Sequence, residues 1–281
     1  MRPIALVVAL VATLNTPDAF AAALDRDALN RARTAYNDGR YDAAIGAARQ
    51  SLDVPDQVDA ARLVLARALL ERYRASTESR DLVEARDTLR AIDAARLPAG
   101  ERLELLVGFG QWLFLTGRFG AAADLFETAL GPATTSLASR DRLLDWWASA
   151  LDREVQEGNG DAAALYGRVL ARMEQEARNE PASAAAGYWI AAAARGLGEL
   201  DRAWQAAMAA WVRTGLTPRR AEVLRGDLDR LVLTAIIPDR ARGTSAARDG
   251  QREAADTMVT VWERFKAEWE PSTPAPPSPP Q

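Results

Sequence analysis

Three pairs of carboxylates stand close together in the 281-residue chain: Asp141 and Asp145, Glu154 and Glu157, Asp227 and Asp229. Two carboxyl groups at a fixed separation are what glycoside hydrolysis needs, one as general acid and one as base or nucleophile. At such spacing on helices the same acids form a solvated face paired with nearby arginines. The solvated face is the first reading, and a carboxylate-based hydrolase is the lesser alternative. The rest of the inventory removes most other chemistry. Cys and His are both absent. That excludes a disulfide framework, a thiolate nucleophile, a Cys/His zinc site and a histidine general base. A Ser-His-Asp triad is excluded with them, because no imidazole exists to take the serine proton. Lys266 is the one lysine, so Schiff-base chemistry has little scope, and it follows no glycine-rich phosphate loop. No Gly-x-Ser-x-Gly elbow and no calcium loop of the Asp-x-Asp-x-Asp-Gly kind occurs. The reading is therefore a non-enzyme, with no catalytic residue, no metal ligand and no cofactor.

Charge narrows the partners. The formal net charge is −4 and the isoelectric point about 5.2. That balance lacks the positive charge that neutralises phosphates, so no nucleic-acid partner is expected. Of the 35 basic residues, all but Lys266 are arginine, and about a fifth of the chain is alanine. A GC-rich genome accounts for both. The functional alternative for the arginines is bidentate recognition of carboxylates or phosphates.

The first residues read as a targeting segment. Arg2 supplies the positive start, and Ile4 to Leu14 is an apolar run of eleven residues, within the length of a signal core and too short to span a bilayer. Asn15-Thr16-Pro17-Asp18 breaks it, and Ala19-Phe20-Ala21 fits small-x-small cleavage, so residues 1–21 read as a signal peptide. No cysteine follows to take a lipid. The mature chain is expected in the periplasm or secreted, with no membrane span after cleavage.

The remainder carries an internal repeat. Residues 35–52 read AYNDGRYDAAIGAARQSL, residues 113–130 LFLTGRFGAAADLFETAL and residues 194–211 ARGLGELDRAWQAAMAAW. Each has a glycine (Gly39, Gly117, Gly198), a large apolar residue two positions on (Tyr41, Phe119, Leu200) and an alanine three further (Ala44, Ala122, Ala203). A glycine tolerates the left-handed conformation that ends a helix tightly. The apolar residue opens the next helix, and the alanine lets the two backbones approach. Two degenerate copies fall between, residues 80–96 with Leu82, Ala85, Leu89 and Ile92, and residues 158–173 with Ala164, Leu165, Val169 and Met173. The alanines at 44, 85, 122, 164 and 203 lie about forty residues apart. This predicts an all-α chain, an α-solenoid of five to six helical hairpins.

The pattern resembles the tetratricopeptide repeat (TPR) family, helix–turn–helix units of about 34 residues, across roughly residues 25–213. HEAT-like or generic α-solenoid hairpins satisfy the same spacing. Trp146 takes the place of the family's aromatic in the fourth copy, and is read as core; Ala28, Leu106 and Gly187 stand there in the first, third and fifth. The resemblance implies that the first helix of each hairpin lines a peptide-binding groove. The residues it points to are Arg33, Tyr36 and Asn37 in the first copy, Val107, Gln111 and Phe114 in the third, Trp147 in the fourth, and Tyr188 and Arg195 in the fifth. Arg, Asn and Gln would fix a peptide main chain or carboxylate, and the aromatics would receive apolar side chains. Tyr36, Phe114 and Tyr188 serve equally as core. The family's carboxylate-clamp set is not reproduced beyond Arg33 and Asn37.

The C-terminal part departs from the repeat. Residues 218–237 read as one helix stopped by Pro238, residues 239–250 as a polar loop, and residues 251–269 as an amphipathic helix with Met258, Val261, Trp262, Phe265 and Trp269 on one stripe. The expected domains are a signal peptide (1–21), TPR-like repeats (22–213), C-terminal helices capping the solenoid (214–270) and a disordered Pro-rich tail (271–281). The expected function is an exported scaffold whose groove holds a peptide or partner protein. A binding protein for a small anionic or glycan ligand is the alternative.

Overall fold

Each helical hairpin of this chain turns at a left-handed residue, and the computed structural model places one at regular intervals. It describes residues 28–131, 137–216, 221–244 and 246–269. The signal segment and the Pro-rich tail lie outside the described residues. Among the described residues, positive φ occurs at Gly39, Thr77, Gly117, Gly158, Gly160 and Gly198. Taking Gly158 for the double glycine turn, the intervals are 38, 40, 41 and 40 residues. Three of these turns close with one hydrogen-bond pattern. The N–H after the glycine reaches five residues back (Arg40 to Ala35, Asn159 to Glu154, Glu199 to Ala194), and the glycine's own N–H reaches three back, to Tyr36, Val155 and Arg195. This is the Schellman arrangement, which satisfies carbonyls that a helix end leaves open. Thr77 uses the simpler form, one bond from its N–H to the Tyr73 carbonyl at 2.7 Å.

The helices between these turns are α1 (28–37), α2 (Tyr41–Gln50), α3 (Val58–Ser76), α4 (Ser79–Arg90), α5 (Ala99–Leu115), α6 (Phe119–Leu130), α7 (Leu137–Gln156), α8 (Ala162–Asn179), α9 (Ala184–Gly196) and α10 (Leu200–Arg213). After them come α11 (Ala221–Leu231), α12 (Ile237–Thr244) and α13 (Arg248–Glu268). The described residues contain no strand. The chain is all-α and solenoid-like, with helices packed in sequence order against their neighbours. It divides into two compact units between Leu115 and Thr116.

In the first unit α2 packs on α3, and α3 on α4 and α5. The repeated alanines do what their spacing requires: Ala44, Ala48 and Ala85 are fully enclosed, which brings helix backbones close. Leu63, Leu69, Leu70 and Leu89 fill the space between them. Arg72 on α3 forks across the hairpin, bonding Asp81 of α4 through two nitrogens and Asp42 of α2 through a third, all at 2.7 Å.

In the second unit α6 packs on α7, α7 on α8 and α9, α8 on α9, α9 on α10, and α10 on α11. Ala122, Ala203 and Ala207 are enclosed as expected. Ala164 is not. It is exposed in the first turn of α8, and that helix buries Val169, Leu170 and Met173 instead. Asp161 caps α8 from its side chain and holds this first turn beyond the packed region. At the other end Glu176 holds Arg140 (2.9 and 2.5 Å) and Arg172 (3.0 Å), and both arginines also bond the Leu130 carbonyl that ends α6.

Pro238 does not stop its helix. The helix runs on to Thr244, so residues 239–244 are not the polar loop anticipated. A π-turn, Val232–Ile236, precedes the proline directly, and the Ile237 N–H bonds Val232 O, five residues back. The extra residue opens the turn against which the proline ring sits and relieves the clash that makes proline a helix breaker. The last helix covers the fifth hairpin. Trp262 is fully buried, packing edge-on against Trp204 (5.8 Å) and Trp211 (5.4 Å) of α10, with Phe265 stacked on it. Its indole N–H donates to Asp229 at 2.8 Å, and Lys266 binds the same carboxylate at 2.7 Å. Val261 and Trp269 of the anticipated stripe are exposed, and Val259 and Ala255 pack in their stead.

A left-handed residue with a side chain costs about 1 kcal/mol relative to glycine. Thr77→Gly is therefore expected to raise the stability of the chain slightly, and Gly198→Ala to lower it by about 1 kcal/mol, as read from denaturant midpoints. Equal and opposite results would break the assignment of these residues to the turns.

Candidate functional site

The first helices of the first unit, α1, α3 and α5, bring together charges that lie far apart in sequence. Arg33 of α1 donates from Nη2 to Glu101 Oε1 in the first turn of α5 at 2.5 Å. One turn along α1, the Tyr36 ring lies under the Arg67 guanidinium of α3, 4.8 Å from its centroid. Arg67 in turn donates to Glu104 of α5 at 2.8 Å. Burial would lower the pKa of Arg67, but Tyr36, Glu104 and Glu71 outweigh it and hold the guanidinium charged. Glu71 accepts from Gln111 Nε2 at 2.9 Å. Gly108 makes room for this row, because a Cβ there would stand 3.0 Å from Leu89 and 3.6 Å from Arg67.

At the N-terminal ends of α3 and α5 the row opens into a cleft of about 500 Å³, lined by Leu29, Arg33, Asp56, Gln57, Asp59, Arg96 and Glu101. Proline on either side, Pro55 and Pro98, sets its walls. Asp59 is buried and accepts from Arg62 at 3.1 Å and from the Asp93 N–H at 3.2 Å, tying α3 to the turn before α5. Arg96 stands 3.8 Å from Asp59, outside hydrogen-bond range. Two oxygens of the wall, Gln57 Oε1 and Glu101 Oε2, are buried with no hydrogen-bond partner among the described residues. A buried acceptor left bare costs about 1–3 kcal/mol.

The other anticipated groove residues take mixed positions. Asn37 is exposed, and Val107 and Phe114 are half-buried. Tyr36 and Gln111 are buried. In the second unit Trp147 is 1% exposed, enclosed in the core, and its neighbour Trp146 is buried too, tilted against Phe126 at 5.9 Å. Tyr188 is half-buried, edge-on to Trp189 at 5.3 Å, and burial first, then the charges of Asp227, Asp152 and Asp145, push its hydroxyl pKa up. Arg195 is bonded to Asp239 at 2.7 Å. The structure thus joins Arg33 and Tyr36 to one row with Gln111, while Trp147, Tyr188 and Arg195 belong to the second unit.

Four of the six paired carboxylates, Asp141, Asp145, Glu154 and Asp229, position main chain or indoles, and Glu157 is exposed. Asp141 accepts from Ser183 Oγ at 2.5 Å and from the Ala184 N–H at 3.0 Å, and Ser183 caps α9 through the Ala186 N–H. Asp145 accepts from the Trp189 indole at 2.9 Å. Glu154 accepts from the Gly120 N–H at the start of α6. Asp227 stands 3.4 Å from Arg230, and Asp229 holds Trp262 and Lys266. Among the described residues no group of three acidic side chains is placed to hold a metal ion.

Sequence reasoning reached Arg33 and missed Asp56, Gln57, Asp59, Arg96 and Glu101. These lie around the first helix of the degenerate second copy, in the turn before α5 and in the first turn of α5. Pro55-Asp56 and Pro98, each just before a helix start, were the available signals. No family model matches this chain, and no curated protein is significantly similar to it. Among the described residues no helix is long and apolar enough to cross a membrane.

Two outcomes test these assignments. Removing Asp141 strips the Ser183 hydroxyl and the Ala184 N–H of their acceptor at once, so Asp141→Ala is expected to cost about 2–4 kcal/mol by denaturant titration. A change under about 0.5 kcal/mol would show the carboxylate idle. For Glu176, burial raises the carboxyl pKa, but Arg140 and Arg172 outweigh it and leave the value below the ordinary one. Its stabilisation is therefore full above the unfolded value of about 4.3 and is lost as pH falls through the lower folded value. Glu176→Gln should destabilise at neutral pH and shrink the gap to the parent chain as pH drops below about 4.3. A gap that widens there would contradict the assignment.

Proposed function

We propose that the chain is an exported, non-catalytic TPR-type repeat protein that holds a segment of a partner protein, with the first-helix cleft of residues 28–115 as the holding site. The observation that carries this reading is the convergence of α1, α3 and α5 on one cleft with both charges, apolar walls and bare acceptors. A polypeptide segment matches that lining: its main-chain N–H groups meet the exposed Asp56 carboxylate, its carbonyls meet Arg33 and Arg96, and a small apolar side chain meets the wall of Leu29 and Leu97. The repeated hairpin of about forty residues supports the TPR-type assignment, and the absence of Cys and His agrees with a surface that holds and does not transform. The export part rests on the apolar run Ile4 to Leu14 and the Ala19-Phe20-Ala21 site.

A random-peptide display against residues 22–281 tests the holding role. A shared peptide motif whose binding weakens about tenfold or more with Arg96→Ala or Glu101→Ala is the expected result. Thermal stabilisation by a sugar or small anion with no peptide enriched would overturn it. For export, the protein recovered outside the cytoplasm should begin at Ala22; an intact Met1 would overturn that part alone.

A further inference from the structure

We infer that the outer face of α4 is a self-association surface, on which a second copy of this chain packs its own α4 antiparallel. This inference stands apart from the cleft and its occupant. The α4 helix buries Asp81, Ala85 and Leu89 inward and leaves Arg80, Val83 and Asp87 outward on one stripe, at i, i+3 and i+7. Val83 is 50% exposed, one of few large apolar side chains in that state. Beside it runs a groove of about 670 Å³ with Leu52, Leu65 and Ala91 in its lining. Val83 itself lines this groove with Arg80, Glu84 and Asp87, so one face carries the apolar and the oppositely charged groups that a twofold contact must present to itself.

Charge complementarity fixes the occupant. With the twofold axis between Val83 and Glu84, an antiparallel α4 pair sets Arg80 of one copy opposite Asp87 of the other, and the reverse pair follows by symmetry. Both groups are available for it. Arg80 is 77% exposed at its side chain and stands 3.8 Å from Asp81, whose own oxygens are bonded to Arg72. Asp87 is 58% exposed and, among the described residues, pairs with its chain neighbour Arg86. Glu84, closest to the axis, would face its own copy, but Arg49 of α2 holds it at 2.6 Å and offsets that charge. A contact of one helix and one groove belongs to the small, reversible class of interfaces.

Sedimentation equilibrium of the full chain over about a hundredfold concentration range tests this, with circular dichroism to confirm folding. The parent chain should show a reversible monomer–dimer equilibrium. Arg80→Asp and Asp87→Arg, each placing like charges opposite one another twice, should each weaken it about tenfold or more. The double variant Arg80→Asp/Asp87→Arg, which restores both pairs in reverse, should recover association to within about threefold. A parent chain that stays monomeric, single variants that associate like the parent, or a double variant that does not recover would each overturn the inference.

Discussion

A helix that ends leaves carbonyls without donors, and a helix that must turn straight back needs those donors from the next few residues. In this chain one left-handed residue solves both problems inside each hairpin, while turns between hairpins, such as residues 51–57 and 91–98, use none. That residue points the following N–H groups back at the last turn and aims the chain into the next helix. Gly39, Thr77, Gly117, Gly158 and Gly198 all have positive φ, and the intervals between them set the length of a hairpin near forty residues. Alanines placed just after the turns, such as Ala44 and Ala203, are enclosed because the second helix starts at a fixed angle to the first. The buried faces follow from the turns, and the cleft follows from where the buried faces put α1, α3 and α5.

The arginine excess has a structural use within this scheme. A guanidinium carries several donors in a rigid fork, so one side chain can bond two helices at once. Arg72 joins α3 to both α2 and α4, and its hydrogen bonds to Asp81 and Asp42 raise its pKa still further. Arg140 and Arg172 share Glu176 and cap the same carbonyl. A lysine ammonium would serve as a point charge at these joints and would not span them. With no disulfide to hold hairpins together, these forks and the indole cluster around Trp262 are the specific ties, and the alanine and leucine faces supply the bulk of burial.

The legible part of the fold was the part written in local chemistry. Gly39, Gly117 and Gly198 announced their turns because glycine is the expected residue there, and the alanine after each confirmed it. The second turn was obscure because Thr77 takes the left-handed position. In the fourth copy the glycine turn and the apolar Val169 and Met173 were legible, but Ala164 has the right residue type and sits in an exposed first turn. Pro238 misled because its usual clash is relieved by a π-turn that no local pattern announces. The site was harder still. Arg33 was visible from its place on α1, while its partner Glu101 is 68 residues away, a pairing that depends on how three hairpins stack. Trp262 was visible on its stripe, yet its partners Trp204 and Trp211 belong to a different hairpin.

The central claim is that each hairpin is closed by its left-handed residue and stabilised by the helices next to it, so that a fault at one turn stays local. Native-state hydrogen exchange on the parent chain and Gly198→Ala measures this directly. The account predicts lost protection in α9 and α10 and a smaller loss in α8 and α11, which pack against them, with α2 to α4 unchanged. Equal loss across all the described helices would contradict it.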